Sequence, residues 1–301
     1  MRVVETVAAL QVQVVAWRRA GESVGLVPTM GALHNGHIGL VRAAQRDNDR
    51  VVVSVFVNPK QFNEKSDLDA YPRDFEADAQ VLADAGVDAV FHPPVEEMYP
   101  AGLTATRVRP GGGADLYEGE QRPGHFEGVA SVVARLFKAG LPDRAYFGRK
   151  DAQQLAVIRA MVRDLGLPIT VVGCPTARDA DGLAMSSRNA RLSPEARRSA
   201  LALVRSLAEA QRAFAGGDRA AAGIAGGIAA SLQRAPGVDL EYAAVVDPNT
   251  FRPPATASRA SLAILAVRVG AVRLIDNAEL GAGDLFQYAT EMPPASHGVP
   301  A

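Results

Sequence analysis

The sequence predicts an α/β protein: a doubly wound parallel sheet followed by a second, smaller α+β domain. Short β-branched runs alternate with segments of helical periodicity through the first 175 residues, as in parallel sheets with helical crossovers. Residues 50–57 are apolar at nearly every position, which indicates a strand covered on both faces. Ligands of such sheets bind beyond the carboxyl ends of the strands, so polar clusters at those ends are the first candidates for a site.

Each element of the sheet domain is predicted from its own pattern. The strands are placed at residues 23–28, 50–58, 87–92, 144–147 and 169–173. The helices between them are placed at residues 37–46, 73–85, 128–139 and 152–165.

The second domain begins after a polar loop at residues 176–182. Ser193 is predicted to cap a long helix with Pro194 at its first position, and the pair Gly216-Gly217 ends that helix. A second helix at 219–233 and strands at 240–246, 262–269 and 272–277 follow. We therefore expect domains at 1–176 and 177–282, with a tail at 283–301 that lacks apolar periodicity and is expected to be mobile.

Composition limits the kinds of partner. A net charge of −1 over 301 residues gives no reason to expect nucleic acid or a membrane surface as a partner. No apolar run approaches the roughly 20 residues that span a bilayer. Charged residues interrupt the N-terminal segment from its second position, so we expect no apolar region of a signal peptide there. Cys174 is the only cysteine, so no internal disulfide can form, which fits a reducing cytoplasm. Cys174 has no neighbour that would activate it as a nucleophile.

The turn after the first confident strand carries two of the five histidines, His34 and His37, together with Gly31 and Gly36. Backbone N–H groups at a helix start suit phosphate oxygens, and imidazoles there can stabilise charge that develops during transfer. We interpret the turn as the triphosphate site of an ATP-using enzyme. The alternative is an ordinary capped turn with both histidines on the surface. No nearby Cys, Asp or Glu completes a zinc site, so metal ligation is disfavoured.

Three further polar clusters could carry chemistry. Gln61 follows a predicted strand and Gln154 lies near a helix start; such amides can bind the hydroxyl and carboxylate of a small hydroxy acid, although a solvated glutamine is the simpler reading of either alone. Lys150 could approach phosphates, and Asp151 could cap the helix or help hold Mg²⁺ through water; a surface ion pair is the alternative. Arg188 stands in a polar loop that could grip a phosphate or simply precede the next helix.

Residues 122–128 contain His125, which we interpret as a structural histidine, and Arg122, which could reach a phosphate or carboxylate.

The motifs described above together resemble those of the pantothenate synthetase (pantoate–β-alanine ligase) family. The resemblance is carried, in order, by residues 28–37, 56–62, 124–126, 147–155 and 181–189, and it extends from about residue 20 to residue 277. The two-histidine turn alone would indicate only the wider nucleotidyltransferase superfamily, with its Rossmann-like fold.

The resemblance implies that pantoate attacks ATP to form pantoyl adenylate and pyrophosphate, and that β-alanine then displaces AMP. It implies catalytic roles for His37, His34, Lys150 and Arg188, and pantoate contacts for Gln61 and Gln154, with Gln61 also at the β-alanine site. The implied ATP contacts are Met30, Gly31, Ala32, Leu33, His34, Asn35, Gly36, His37, Gly148, Arg149, Lys150, Asp151, Ala177, Met185, Ser186, Ser187 and Arg188.

The resemblance also implies Mg²⁺ bridging the phosphates, a cytoplasmic homodimer, and no metal held by a protein ligand set.

The chain departs from the family pattern at a few positions. Arg149 and Ala152 stand where the family usually has a glutamate and an aromatic residue, and Ile38-Gly39 replaces a more common pair. The alternatives are an adenylyltransferase of a related cofactor pathway, which would need no amine, and a nucleotide-sensing module with a degraded site.

Overall fold

The computed structural model describes residues 1–63, 65–102, 106–111, 113–283 and 285. Most of the predicted tail at 283–301 lies outside the described residues. The chain divides into two compact units, one formed by Met1–Pro175 with Asn249–Phe251 and the other by Thr176–Pro248 with the residues from Arg252 onward.

The first unit is an α/β unit. Its strands are β1 (Arg2–Val4), β2 (Val24–Thr29), β3 (Arg50–Val55), β4 (Ala89–Phe91), β5 (Arg144–Gly148) and β6 (Thr170–Cys174). Its helices are α1 (Val7–Arg19), α2 (Asn35–Asp47), α3 (Lys65–Asp69), α4 (Phe75–Asp84), α5 (Val95–Met98), α6 (Glu118–Gln121), α7 (His125–Gly140) and α8 (Ala152–Asp164).

The six strands form one parallel sheet in the order β1-β4-β3-β2-β5-β6. Strand β3 shows why its sequence is apolar throughout. Val52 packs into the core formed with α1, α7 and α8, whereas Val51 and Val53 pack into the core formed with α2 and α4. Alternate side chains of one strand therefore fill both layers, as a doubly wound sheet requires. The predicted fold class is confirmed.

Several boundaries differ from the predicted ones. Strand β3 ends at Val55, because Asn58 caps a short 3₁₀ helix at Pro59–Gln61. Helix α7 starts at His125 rather than at residue 128, after Gly124 in the left-handed conformation. The sequence did not predict β1 and α1, since a three-residue strand with one buried position carries almost no periodic signal.

The second unit pairs two helices with a small antiparallel sheet. Its helices are α9 (Pro194–Ala215) and α10 (Ala221–Gln233), and its strands are β7 (Val238–Val246), β8 (Leu262–Val269) and β9 (Val272–Glu279), paired in the order β7-β8-β9. Ser193 Oγ accepts a hydrogen bond from the Ala196 N–H, and Pro194 occupies the first turn, which confirms the predicted cap. Leu207 of α9, Ile228 of α10 and Leu265 of β8 share one core.

Candidate active site

The turn between β2 and α2 lies at the carboxyl end of β2, as predicted, and the two histidines cap the helix that follows it. His34 Nδ1 accepts a hydrogen bond from the Gly36 N–H at 3.1 Å, and His37 Nδ1 accepts one from the His34 N–H at 3.2 Å. The imidazoles thus form a reciprocal capping box. Their ring centroids lie 4.1 Å apart.

These two contacts fix the tautomers. A neutral imidazole that accepts at Nδ1 carries its proton on Nε2, so each ring presents an Nε2–H donor away from its own backbone. The pKa of His37 is lowered to about 3, first by desolvation of the ring and then by the charges of His34 and Lys150. At neutral pH the His37 imidazole is therefore uncharged and acts as a hydrogen-bond donor.

The backbone donors of the turn are not available for phosphate in the way that the sequence suggested. The Gly36 and His34 N–H groups are taken by the imidazoles, and the His37 N–H donates to the His34 carbonyl at 2.8 Å. The Ala32 and Leu33 N–H groups donate to the two carboxylate oxygens of Asp78, at 3.0 and 2.8 Å. The prediction of unpaired N–H groups at the helix start is wrong for these five residues.

Asp78 was missed by the sequence interpretation, although a signal for it exists. Residues 75, 78 and 82 follow helical spacing, and Phe75 and Leu82 pack into the core beside α2. An aspartate on that apolar stripe is 5% exposed, and a carboxylate rarely occupies such a position without a partner. A buried acidic residue within an apolar helix face therefore indicates a structural task.

Gln61 is held from several sides. Its Oε1 accepts a hydrogen bond from Asn58 Nδ2 at 3.1 Å, and its Nε2 donates to Met30 Sδ at 2.9 Å. Asn58 is 1% exposed, and its Nδ2 also donates to the Gly128 carbonyl. Because Asn58 occupies the amide oxygen, the amide nitrogen of Gln61 points toward Met30. The structure thus joins the end of β3 to the turn after β2.

His125 supports Gln61 rather than facing a substrate. Its Nδ1 lies 2.9 Å from the Gln61 carbonyl oxygen, and Arg122 donates to the same oxygen at 3.1 Å. Burial, and then the positive charge of Arg122, lower the pKa of His125 to about 4. The interpretation of His125 as a structural histidine agrees with these contacts.

The segment after β5 forms a 3₁₀ turn, Arg149–Asp151. Arg149 Nε donates to the Gly173 carbonyl on β6 at 3.0 Å, and the charge of Lys150 acts on His37. Asp151 stands at the N-cap of α8 without a side-chain cap bond, so capping, one of the two roles suggested for it, is wrong. Its backbone leads directly from the 3₁₀ turn into the helix, with φ near −92°, and this leaves the carboxylate exposed.

The two adjacent glutamines on α8 behave differently. Gln153 is buried, and its amide donates to the Gly113 and Leu116 carbonyls and accepts from the Glu118 N–H. Gln154, the predicted ligand residue, is half-buried, and its side-chain amide has no hydrogen bond to the residues that the structure describes. Gln153 therefore holds the loop before α6, whereas ligand binding by Gln154 stays a prediction.

In the second unit, the predicted ATP contacts follow a tight hairpin. The Met185 N–H donates to the Ala177 carbonyl at 2.9 Å, and Ser186 Oγ accepts from the Arg188 N–H. Arg178 anchors the hairpin through two bonds to Asp276, at 2.7 and 3.0 Å. Ser187 and Arg188 begin a 3₁₀ helix after this hairpin.

The residues that the structure describes include no group of three or more His, Cys, Asp or Glu side chains that could hold a metal ion. They also include no helix with the length and hydropathy needed to cross a membrane.

The six-stranded parallel sheet, with a histidine-capped turn at the carboxyl end of one strand, defines an α/β protein whose candidate ligand site lies at that turn. The family model for pantoate–β-alanine ligase matches residues 2–279. The chain belongs to this family, and its activity is the ligation of pantoate to β-alanine.

Relatives and solved structures agree with this assignment. A pantothenate synthetase of Moorella thermoacetica is 49% identical over 284 residues, which cover 94% of this chain and 100% of that protein. One of Rubrobacter xylanophilus is 53% identical, with 88% and 93% covered. The crystal structure of pantothenate synthetase from Thermus thermophilus is 50% identical, has a TM-score of 0.86, and is matched over 93% of this chain and 99% of that one.

A further solved structure that matches the chain contains ligands. The pantoate–β-alanine ligase of Francisella tularensis, crystallised with β,γ-ATP and β-alanine, is 33% identical with a TM-score of 0.73, and 94% of this chain and 99% of that chain are covered.

Proposed function

We propose that the chain condenses pantoate with β-alanine in two half-reactions that use ATP. A carboxylate oxygen of pantoate attacks the α-phosphorus of ATP, the bond from that phosphorus to the bridging oxygen breaks, and pyrophosphate leaves. The amine of β-alanine then attacks the acyl carbon of pantoyl adenylate, the bond from that carbon to the bridging phosphate oxygen breaks, AMP leaves with this oxygen, and the nitrogen loses a proton. The ATP and β-alanine in the Francisella tularensis structure support this substrate set.

The observation that carries the proposal is the locked pair of imidazoles. A carboxylate that attacks a polyanion needs donors that offset the charge developing at phosphorus. The Nδ1 contacts of His34 and His37 turn both Nε2–H groups into preorganised donors, and the positive charge of Lys150 adds to them. With a pKa of about 3, His37 stabilises charge as a neutral donor at pH 7 and does not give up a proton.

Gln61 and Gln154 are proposed to hold pantoate. The Gln61 amide is oriented by Asn58, so its nitrogen can donate to a hydroxyl or carboxylate of the substrate, and it also borders the proposed β-alanine site. The half-buried Gln154 amide offers both a donor and an acceptor. Neither side chain adds charge, which suits a substrate whose carboxylate must remain nucleophilic.

ATP is proposed to contact Met30 to His37, Gly148 to Asp151, Ala177, and Met185 to Arg188. For Ala32 and Leu33 the contact is through atoms other than the N–H groups that Asp78 occupies. Arg188 can pair with phosphate through its guanidinium. Mg²⁺ bound to ATP would offset the negative charge of the phosphates, and because this ion retains several waters it would need few protein ligands. We further propose a cytoplasmic homodimer, which sedimentation equilibrium of the purified chain would test.

The test measures pyrophosphate and AMP separately, with each substrate omitted in turn. We expect pyrophosphate release to require pantoate and AMP release to require both acids. His37→Ala should lower the first half-reaction about 10²- to 10³-fold, the effect of losing one preorganised transition-state donor. The control is Gln80→Ala, because Gln80 is exposed and its side chain bonds only to Asp84 among the described residues.

Two outcomes would contradict the proposal. Pyrophosphate release with full turnover in the absence of any amine would favour an adenylyltransferase. ATP binding without pyrophosphate release, unchanged by His37→Ala, would favour a nucleotide sensor.

A further inference from the structure

The backbone of the loop between β2 and α2 is bound by a single carboxylate. Asp78 lies in α4, and its Oδ2 and Oδ1 accept hydrogen bonds from the Ala32 and Leu33 N–H groups. Consecutive N–H groups that converge in this way form an anion-binding concavity. In this chain the concavity is filled by the protein's own carboxylate, so the loop is held by an internal anion.

The backbone of this loop needs such a restraint. Gly31 has φ 82° and Ala32 has φ 51°. An alanine in the left-handed region is unfavourable by roughly 1–2 kcal/mol, and such a conformation persists only where the surroundings determine it. Gly31 cannot be replaced without displacing the carboxylate, since a Cβ there would lie 2.6 Å from Asp78 Oδ2 and 3.2 Å from Val55 Cγ1.

The helix that carries Asp78 is itself fixed to the edge of the sheet. Phe75, at the start of α4, stacks on His92 with ring centroids 3.9 Å apart and an interplanar angle of 9°. His92 follows β4, and its Nδ1 lies 2.8 Å from the carbonyl oxygen of Val55, the last residue of β3. The carboxylate is therefore presented to the loop from a rigid support.

The restrained loop leads directly into the imidazoles. Leu33 precedes His34, whose N–H donates to His37 Nδ1 and whose own Nδ1 accepts from Gly36. A displacement of the Leu33 backbone moves the His34 N–H, and with it the contact that fixes the tautomer of His37.

We propose that Asp78 is a positioning residue for the transfer of the adenylyl group, acting through the loop on the Nε2–H groups of His34 and His37. This inference rests on the proposed function of the two histidines. Asp78 touches no reacting atom in this role; it fixes where the donors stand.

The experiment compares Asp78→Asn with Asp84→Asn, an exposed aspartate on the same helix. An asparagine retains one acceptor oxygen and turns an NH₂ group toward the other N–H. We expect Asp78→Asn to lower the kcat of pantoate-dependent pyrophosphate release at least tenfold. The KM for β-alanine and the Mg²⁺ concentration for half-maximal rate should stay within twofold. Asp84→Asn should match the wild type.

Several results would overturn the inference. One is an unchanged kcat for Asp78→Asn; another is a kcat that returns to the wild-type value at high Mg²⁺, which would make Asp78 a metal ligand. Failure of the proposed function is seen separately, as wild-type enzyme that releases no pyrophosphate with pantoate and ATP.

A measurement on the wild-type protein covers the case in which Asp78→Asn does not fold. Amide hydrogen exchange should show the Ala32 and Leu33 N–H groups strongly protected in the absence of substrates. Exchange of both N–H groups at the rate of an unprotected loop would refute the inference that Asp78 restrains this loop.

Discussion

Replacing Gly128 with alanine tests how Gln61 is held in place. Helix α7 approaches the 3₁₀ turn so closely that a Cβ at position 128 would lie 2.3 Å from the Lys60 carbonyl oxygen and 2.9 Å from the Gln61 Cα. Ordinary contact begins at 3.4 Å, so helix and turn must separate by about 1 Å. Both obstacles are backbone atoms, which cannot rotate away.

The expected cost has two parts. Overpacking of a well-packed core destabilises by about 1–3 kcal/mol, so the free energy of unfolding should fall by that amount. A displacement of about 1 Å in a substrate-positioning residue can cost roughly 10²-fold in rate, so kcat/KM for pantoate should fall between tenfold and 10²-fold. Asn58 donates to both Gly128 and Gln61, and it transmits the shift to the amide.

The assay pairs urea unfolding with initial rates at varied pantoate concentrations. The control is Gly226→Ala in α10, where a Cβ would meet no atom within 4 Å; this change should stabilise by about 0.5–1 kcal/mol through helix propensity. A Gly128→Ala enzyme with wild-type stability and wild-type kcat/KM for pantoate would refute the argument that backbone contact fixes Gln61.

Two further predictions concern charge. Arg178→Met should lower the free energy of unfolding by about 3–5 kcal/mol in urea titrations, because Asp276, whose side chain is 1% exposed, would remain buried without its cation. The double variant that also carries Asp276→Leu should recover most of this loss. A loss of under about 1 kcal/mol in the single variant would contradict the prediction. His37, with a pKa of about 3, should remain neutral at pH 5 in an NMR titration. At a pH between the folded pKa and the unfolded value near 6.5, only the unfolded state binds this proton. The contribution of His37 to the free energy of unfolding is therefore present above pH 6.5 and declines as the pH falls below it. A native-state titration midpoint near 6.5 would contradict the prediction.

The sequence predicts the sheet well because its signals are local. The apolar run of β3 indicates two covered faces, and both cores contain its alternate valines. The histidine turn, the motif around Gln61 and the cap at Ser193 each depend on residues within a few positions of one another. Such features can be read from spacing alone.

The supporting contacts of the site could not be read in this way. Asp78 reaches Ala32 across 46 positions, and Gly128 faces Asn58 across 70. Spacing gives no measure of which backbone donors a distant carboxylate will occupy, and for this reason the helix start was expected to have unpaired N–H groups. Likewise, Gln153 and Gln154 are equivalent in sequence, and only their directions on α8 separate the structural amide from the candidate ligand.

The use of histidine at the helix start explains how one turn can serve both folding and the proposed chemistry. A serine or an aspartate at position 34 would cap α2 at least as well, but a hydroxyl or carboxylate uses its only functional group in doing so. An aspartate would also place a negative charge where we propose that phosphate binds. An imidazole has two nitrogens. In this chain Nδ1 completes the cap and Nε2 remains as a donor whose direction is set by that same cap. The low pKa of His37 follows first from burial of the ring and then from the charges of His34 and Lys150. A neutral ring is also the form that this cap requires, since protonation would force Nδ1 to give up the backbone hydrogen bond that holds the helix start.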